Sequence, residues 1–305
     1  MTQLDAVTGA FSYSGAAIAR ELLKGGHQVR TLTGHPDRAP AGTPIDCRPL
    51  DFGDPDGLRA SLTGVHTLYN TYWVRFSHGS VNHEAAVANS RVLFAAAVAA
   101  GVQRIVHISI TNPSPDSPDP YFRGKAATEQ ALADSGVLSH AIVRPAILFS
   151  SNGVLVNNVA WLLRRLPVFA VGGRGDYRLR PVHVDDLATL CSDLGARTDT
   201  TVVDAVGPES LTFRQFVEAI RAAVGSRSLV MPVPGMLIPV LAGALNVALR
   251  DTLLNADEYR SLAAGRADAA GPATGTTVFT RWVQAHGAEL GRHYLNELDL
   301  PFRAA

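Results

Sequence analysis

The stretch Thr8-Gly9-Ala10-Phe11-Ser12-Tyr13-Ser14-Gly15 constrains this chain more than any other. An apolar run at residues 4–8 leads into it, and residues 15–24 continue with the apolar spacing of a helix. Strand, glycine turn and helix in that order bring the unpaired amides of a helix N-terminus to one spot, where they favour an anion such as a pyrophosphate. Gly9 lets the chain turn sharply out of the strand, and Gly15 permits close helix–strand contact. Gly9, Phe11, Ser12, Tyr13 and Gly15 are therefore candidate dinucleotide contacts.

The same alternation continues. Residues 28–33, 45–50, 67–70, 104–109 and 141–144 read as further strands, with helices at 81–100 and 121–134. Short strands alternating with helices predict an α/β fold of Rossmann type, a doubly wound parallel sheet with helices on both faces. Residues 1–150 form the expected NAD(P)-binding domain. Residues 151–305 complete the sheet and build a small, mainly helical C-terminal lobe, with helices at 211–224, 239–249 and 280–295. Ligands in open α/β sheets lie beyond the carboxyl ends of the strands, so the loops after Thr8, Thr33, Asn70, Ser109 and Arg144 are expected to line the site.

Composition narrows the function classes. Lys plus Arg and Asp plus Glu are each 27, so the formal charge is zero and electrostatic binding to nucleic acid is not expected. Cys47 and Cys191 are isolated, which suits a reducing compartment. The N-terminal residues carry neither a basic nor an apolar leader, and a cytoplasmic location is expected. Residues 229–249 are uncharged, but Pro232, Pro234 and Pro239 break them and Asn246 interrupts them. A buried or pocket-lining helix is expected there rather than membrane contact. His78 and His83 lack partners at metal spacing, and no metal site is predicted.

At the tip of the second strand the chain reads Thr33-Gly34-His35-Pro36-Asp37-Arg38. No acid stands at the tip itself to hold a ribose 2′-hydroxyl, while His35 and Arg38 can approach a 2′-phosphate. The expectation is NADP rather than NAD, although Asp37 lies just beyond and a solvated loop is the plainer alternative.

Tyr121-Phe122-Arg123-Gly124-Lys125 places a phenol and an ammonium on one helical face. Free tyrosine titrates near ~10, and a cation one turn away stabilises its phenolate, which makes the phenol a useful proton donor to a carbonyl. The same lysine can hydrogen-bond a nicotinamide ribose. The loop Tyr72-Trp73-Val74-Arg75-Phe76-Ser77-His78 supplies Trp73 and Arg75 as candidate substrate contacts, with packing against the C-terminal lobe as the alternative.

Thr-Gly-x-x-Gly-x-x-Gly is the cofactor signature of the extended and atypical short-chain dehydrogenases/reductases, and this chain resembles that family, with Ser12 in place of the central glycine. The resemblance implies further roles. Asp51 and Phe52 match the pair that meets the adenine amino group, although Asp51 alone reads equally as a helix N-cap. Asn70 and Thr71 match the loop under the ribose and nicotinamide. Thr111, or alternatively Ser109, matches the hydroxyl that binds the substrate oxygen, and Asn89 matches an asparagine of the proton relay or is simply buried structure. Arg144-Pro145 with Phe149, and residues 181–188, match motifs read as architectural, Pro145 bordering the cofactor. The C-terminal third is most similar to NmrA-like and epimerase-like relatives.

Three readings follow. One is an NAD(P)-dependent oxidoreductase acting on a small carbonyl or secondary alcohol. Another is epimerase or dehydratase chemistry through a transient ketone. The third is a non-catalytic NADP sensor or assembly factor. Retention of the tyrosine–lysine pair favours an enzyme. Homodimer pairing through a helix such as 81–100 is implied by the resemblance.

Overall fold

The computed structural model describes residues 3–74, 82–252 and 254–296. It divides into two compact units. One holds the chain up to Pro145 together with Leu187–Ala205; the other holds Ala146–Asp186 and the chain from Val206 onward.

The first unit is built on strands β1 (Leu4–Thr8), β2 (Gln28–Thr33), β3 (Asp46–Pro49), β4 (Thr67–Asn70), β5 (Arg104–Ile108) and β6 (Ser139–Pro145). With Thr201–Ala205 they make a seven-stranded sheet in the order Thr201–Ala205, β6, β5, β4, β1, β2, β3, every neighbouring pair parallel. Helices α1 (Tyr13–Lys24), α2 (Pro55–Leu62), α3 (His83–Ala99) and α4 (Pro120–Ala133) alternate with the first six strands. All residues of β4 and β5 are buried, as strands covered on both faces must be. Leu32, Leu68, Leu93, Phe94 and Ile105 pack within one apolar cluster. Strand order reverses at the β1–β4 junction, the switch point where an open sheet leaves a cleft.

Helix α4 starts at Pro120, one residue before the expected Tyr121. The Asp119 carboxylate accepts the Tyr121 amide at 2.9 Å and so caps the helix. A proline at the first helical position loses no hydrogen bond, because that amide has no intrahelical partner.

In the second unit, Phe216 and Phe279 stack at 4.6 Å and Phe149 meets Phe279 edge-on at 5.1 Å. Around them pack Val154–Arg165, Phe213–Ala223 and Phe279–His286. A parallel ladder joins Val168–Gly172 to Leu229–Val233, an element absent from the mainly helical expectation. The helix expected at 280–295 stops at His286. Side chains take over its hydrogen bonding: Asn157 Nδ2 donates to the His293 carbonyl at 2.8 Å, Asn157 Oδ1 accepts the Gly291 amide at 3.0 Å, and Asn158 Nδ2 reaches the Leu295 carbonyl at 2.8 Å. Asp186, in the segment read as architectural, accepts the Thr276 and Thr277 amides at 3.1 and 2.8 Å.

The apolar helix Ile238–Leu249 differs from expectation. Ile238 and Ala242 are buried, but Val240 and Val247 are 67% and 80% exposed. Among the described residues no helix is long and apolar enough to cross a membrane.

Candidate functional site

Gly9 adopts φ +66°, a left-handed turn that glycine tolerates without strain. A Cβ on Gly15 would lie 2.1 Å from the Gly9 carbonyl oxygen, so the turn and the start of α1 touch backbone to backbone. Ser12 does not project from this cradle. Its hydroxyl donates to the Gly9 carbonyl at 2.7 Å, inside the turn, and makes no cap to α1. The donor available to a phosphate is therefore the backbone: the Ser14 and Gly15 amides, in the first turn of α1, have no acceptor among the described residues. Phe11 and Tyr13 flank the turn with 39% and 37% exposure. This cradle, which a single Cβ would fill, fits a dinucleotide pyrophosphate.

The β1, β4 and β5 ends are tied into one network. Thr8 Oγ1 donates to Asn70 Oδ1 at 3.2 Å and accepts the Thr71 and Tyr72 amides at 2.7 and 3.0 Å. The Thr71 hydroxyl donates to the Thr8 carbonyl. Asn70 Nδ2 pairs with His107 Nδ1 at 3.0 Å. Asn70 is completely buried. Its side chain holds the loop in place. Asn89 donates to the Tyr72 hydroxyl at 2.8 Å, so it supports this loop.

At the β2 tip, Thr33 Oγ1 accepts the His35 amide at 3.2 Å and the chain runs into the single turn Pro36–Arg38. No carboxylate stands at the tip; Asp37 is exposed beyond it. The Arg38 side chain and Arg75 lie outside the described residues. Asp51 accepts the Gly53 amide at 2.8 Å, and the N-cap of α2 is Asp54, which accepts Gly57 at 3.0 Å. The capping alternative for Asp51 is thereby removed. Phe52 packs against Tyr72 with ring centroids 4.7 Å apart.

Lys125 is buried, 3% exposed, and donates from Nζ to the Ile108 carbonyl at 2.9 Å. Loss of hydration pulls its ammonium down to about 7, with Glu129 acting weakly the other way. The Glu129 carboxylate is engaged by Arg144, with Nε to Oε1 at 2.9 Å, which accounts for Arg144 structurally. The Trp73 ring lies against the lysine, its centroid 4.5 Å from Nζ. Tyr121 meets the same indole edge-on at 5.7 Å, and His83 stacks on it at 5.8 Å. A Cβ on Gly124 would sit 2.8 Å from the indole. Trp73 thus packs on α4 between the phenol and the ammonium. Gly124 was the overlooked signal. A glycine inside a helix costs about 1 kcal/mol against alanine and marks a close approach.

Besides one guanidinium nitrogen of Arg104 at the start of β5, three buried polar atoms of this unit lack a hydrogen-bond partner among the described residues: Ser109 Oγ, Trp73 Nε1 and His107 Nε2. Ser109 follows β5 directly, where a ligand oxygen is expected. Thr111 is buried and its amide donates to the Pro145 carbonyl at 3.1 Å, closing the ends of β5 and β6 together. Burial also holds the His107 imidazole well below its ordinary value, so it is neutral at physiological pH.

Comparison with known proteins agrees with this geometry. Residues 9–159 match the profile of a family described as NAD(P)H-binding. The chain is 26% identical over 300 residues to the uncharacterized protein y4nG of Sinorhizobium fredii, covering 86% of this chain and 70% of that one. It is 27% identical over 224 residues to the (4-alkanoyl-5-oxo-2,5-dihydrofuran-3-yl)methyl phosphate reductase of Streptomyces griseus, covering 72% and 73%. Against alpha subcomplex subunit 9 of Arabidopsis thaliana mitochondrial NADH dehydrogenase it is 25% identical over 232 residues, covering 70% of this chain and 56% of that one. The chain spans only 41% of the Neurospora crassa NADH-ubiquinone oxidoreductase 40 kDa subunit. The NADPH-dependent quinone oxidoreductase of Escherichia coli, solved with NADPH, shares the fold with a TM-score of 0.74 at 23% identity, over 93% of this chain and 99% of that one. Triphenylmethane reductase of Citrobacter sp. does so with a TM-score of 0.74 at 18% identity, over 94% and 100%. Residues 9–159 are thus similar to an NAD(P)H-binding domain, and the solved structures share the fold.

Proposed function

We propose that this protein is an NADPH-dependent reductase of a small carbonyl or quinone-like acceptor, with Tyr121 as proton donor. The observation that supports the reading is that Lys125, one turn after Tyr121 on capped helix α4, donates to the Ile108 carbonyl, next to Ser109, whose hydroxyl has no partner among the described residues. Bound NADPH supplies the hydride. The Gly9–Gly15 cradle would hold the pyrophosphate through backbone amides, and Thr33 and His35, at a strand tip without a carboxylate of its own, would border the 2′-phosphate. Asp51 and Phe52 border the adenine, while Thr71 and Pro145 lie along the strand ends beneath the ribose. Ser109 hydrogen-bonds the acceptor oxygen, with Thr111 behind it. The Tyr121 hydroxyl gives its proton to that oxygen as the carbonyl carbon is reduced, and the Lys125 cation stabilises the resulting phenolate.

The test is NADPH oxidation in the presence of a panel of quinones and carbonyl compounds, for the parent and for Tyr121→Phe. The variant is expected to lose turnover by about a hundredfold to ten-thousandfold while binding NADPH with unchanged affinity. Turnover of a true substrate at the parental rate by Tyr121→Phe would overturn the assignment. Equal affinity for NADH and NADPH in a fluorescence titration would remove the NADPH preference.

One observation favours a second reading, a cofactor-binding sensor or assembly factor without turnover. Trp73 covers Lys125, so the ammonium meets an indole and a backbone carbonyl. Tight NADPH binding with no oxidation across the whole panel would establish that reading instead.

A further inference from the structure

Residues 229–249 contain no Asp, Glu, Lys, Arg or His. They form the strand Leu229–Val233 and the helix Ile238–Leu249, both packed on the strand Val168–Gly172. A helix that is apolar all round is covered all round in a stable protein. Here the second unit covers one side only, at Ile238 and Ala242. Leu229, Met236, Val240 and Val247 are 59%, 81%, 67% and 80% exposed. Contiguous exposure on this scale marks a surface that meets another phase or partner.

The charges around the patch select the occupant. Arg227 and Arg250 stand at its two ends and Arg174 follows the neighbouring strand; all three are exposed, and none has a carboxylate partner among the described residues. A second copy of the chain does not fit, because an isologous contact sets the patch against itself and brings like-charged arginines together. The helix has 12 residues, about 18 Å at 1.5 Å per residue, too short to cross a hydrocarbon core. We propose that this face lies on an anionic lipid bilayer. The helix rests in the plane of the interface with Met236, Val240 and Val247 among the acyl chains, and the arginines sit at the level of the lipid phosphates. The proposal is independent of the catalytic reading.

Vesicle flotation of the full chain tests it, with phosphatidylcholine alone and with phosphatidylcholine plus phosphatidylglycerol. The parent is expected to float with the anionic vesicles and to be released by high salt. Val240→Asp and Val247→Asp, both at exposed positions, are each expected to lower the bound fraction about tenfold with an unchanged circular dichroism spectrum. Arg227→Gln with Arg250→Gln should abolish the preference for anionic over neutral lipid. Absence of flotation, or equal flotation with neutral vesicles, overturns the proposal. So does a parent that light scattering shows to be a dimer and that Val240→Asp converts to a monomer.

Discussion

Among the described residues the Lys125 amine has no carboxylate in contact, and it is held by a backbone carbonyl and an aromatic face. Its lowered value has a stability consequence with a definite sign. In the unfolded chain the amine stays protonated up to about 10.5, whereas in the fold it loses its proton at about 7. Between those values the unfolded state binds more protons, so this group's contribution to stability improves as pH rises from 7 towards 10.5. Below that window burying the charge costs its full penalty. Lys125→Met is therefore expected to raise the melting temperature of the cofactor-free protein by a few degrees at pH 6, an effect of the order of 1 kcal/mol or more. The gain should vanish near pH 10.5, checked by scanning calorimetry across pH. A constant difference at all pH values would show that packing, not charge, is responsible. Trp73 acts on the same atom. Trp73→Ala removes the ring from Nζ and is expected to tighten NADPH binding severalfold if the indole must move aside, measured by calorimetric titration.

At the scale of elements, the glycine turn and α4 carry the site, and they differ in how visibly the sequence announced them. Gly9 and Gly15 were legible because only a residue without a side chain fits a left-handed turn and a backbone contact. Gly15→Ala is expected to abolish cofactor binding and to destabilise the fold by about 1–3 kcal/mol. Ser12→Ala should leave affinity within about threefold, since its hydroxyl serves the turn and not the phosphate. Helix α4 was legible as an element, and its cap was not, although Asp119-Pro120 has the form of one. Asp119→Ala is expected to cost about 1 kcal/mol and to lower kcat through looser placement of Tyr121, read by urea denaturation and steady-state kinetics. Asn70, His107 and Thr8 lie 37 and 62 residues from their partners, and no local pattern reports a network assembled only when β1, β4 and β5 align. The missing length of the helix expected at 280–295 has the same origin. Asn157 and Asn158 substitute for its hydrogen bonds from more than a hundred residues away.

Across the whole molecule, the chain leaves the first unit after Pro145 and returns for Leu187–Ala205. Arg104 secures the return. Fully enclosed, it donates to the Leu194 carbonyl at 2.6 Å, the Asp199 carbonyl at 2.8 Å and the Ser139 hydroxyl at 3.0 Å. Arg104→Met leaves those buried acceptors without a donor and is expected to cost about 2–4 kcal/mol, measured by urea denaturation. The route also orders events at the ribosome. Until Thr201–Ala205 emerges, β6 has an open margin whose amides and carbonyls can pair with any passing extended chain. Nascent polypeptides arrested short of residue 201 should therefore recruit holding chaperones, and those arrested well past residue 205 should shed them.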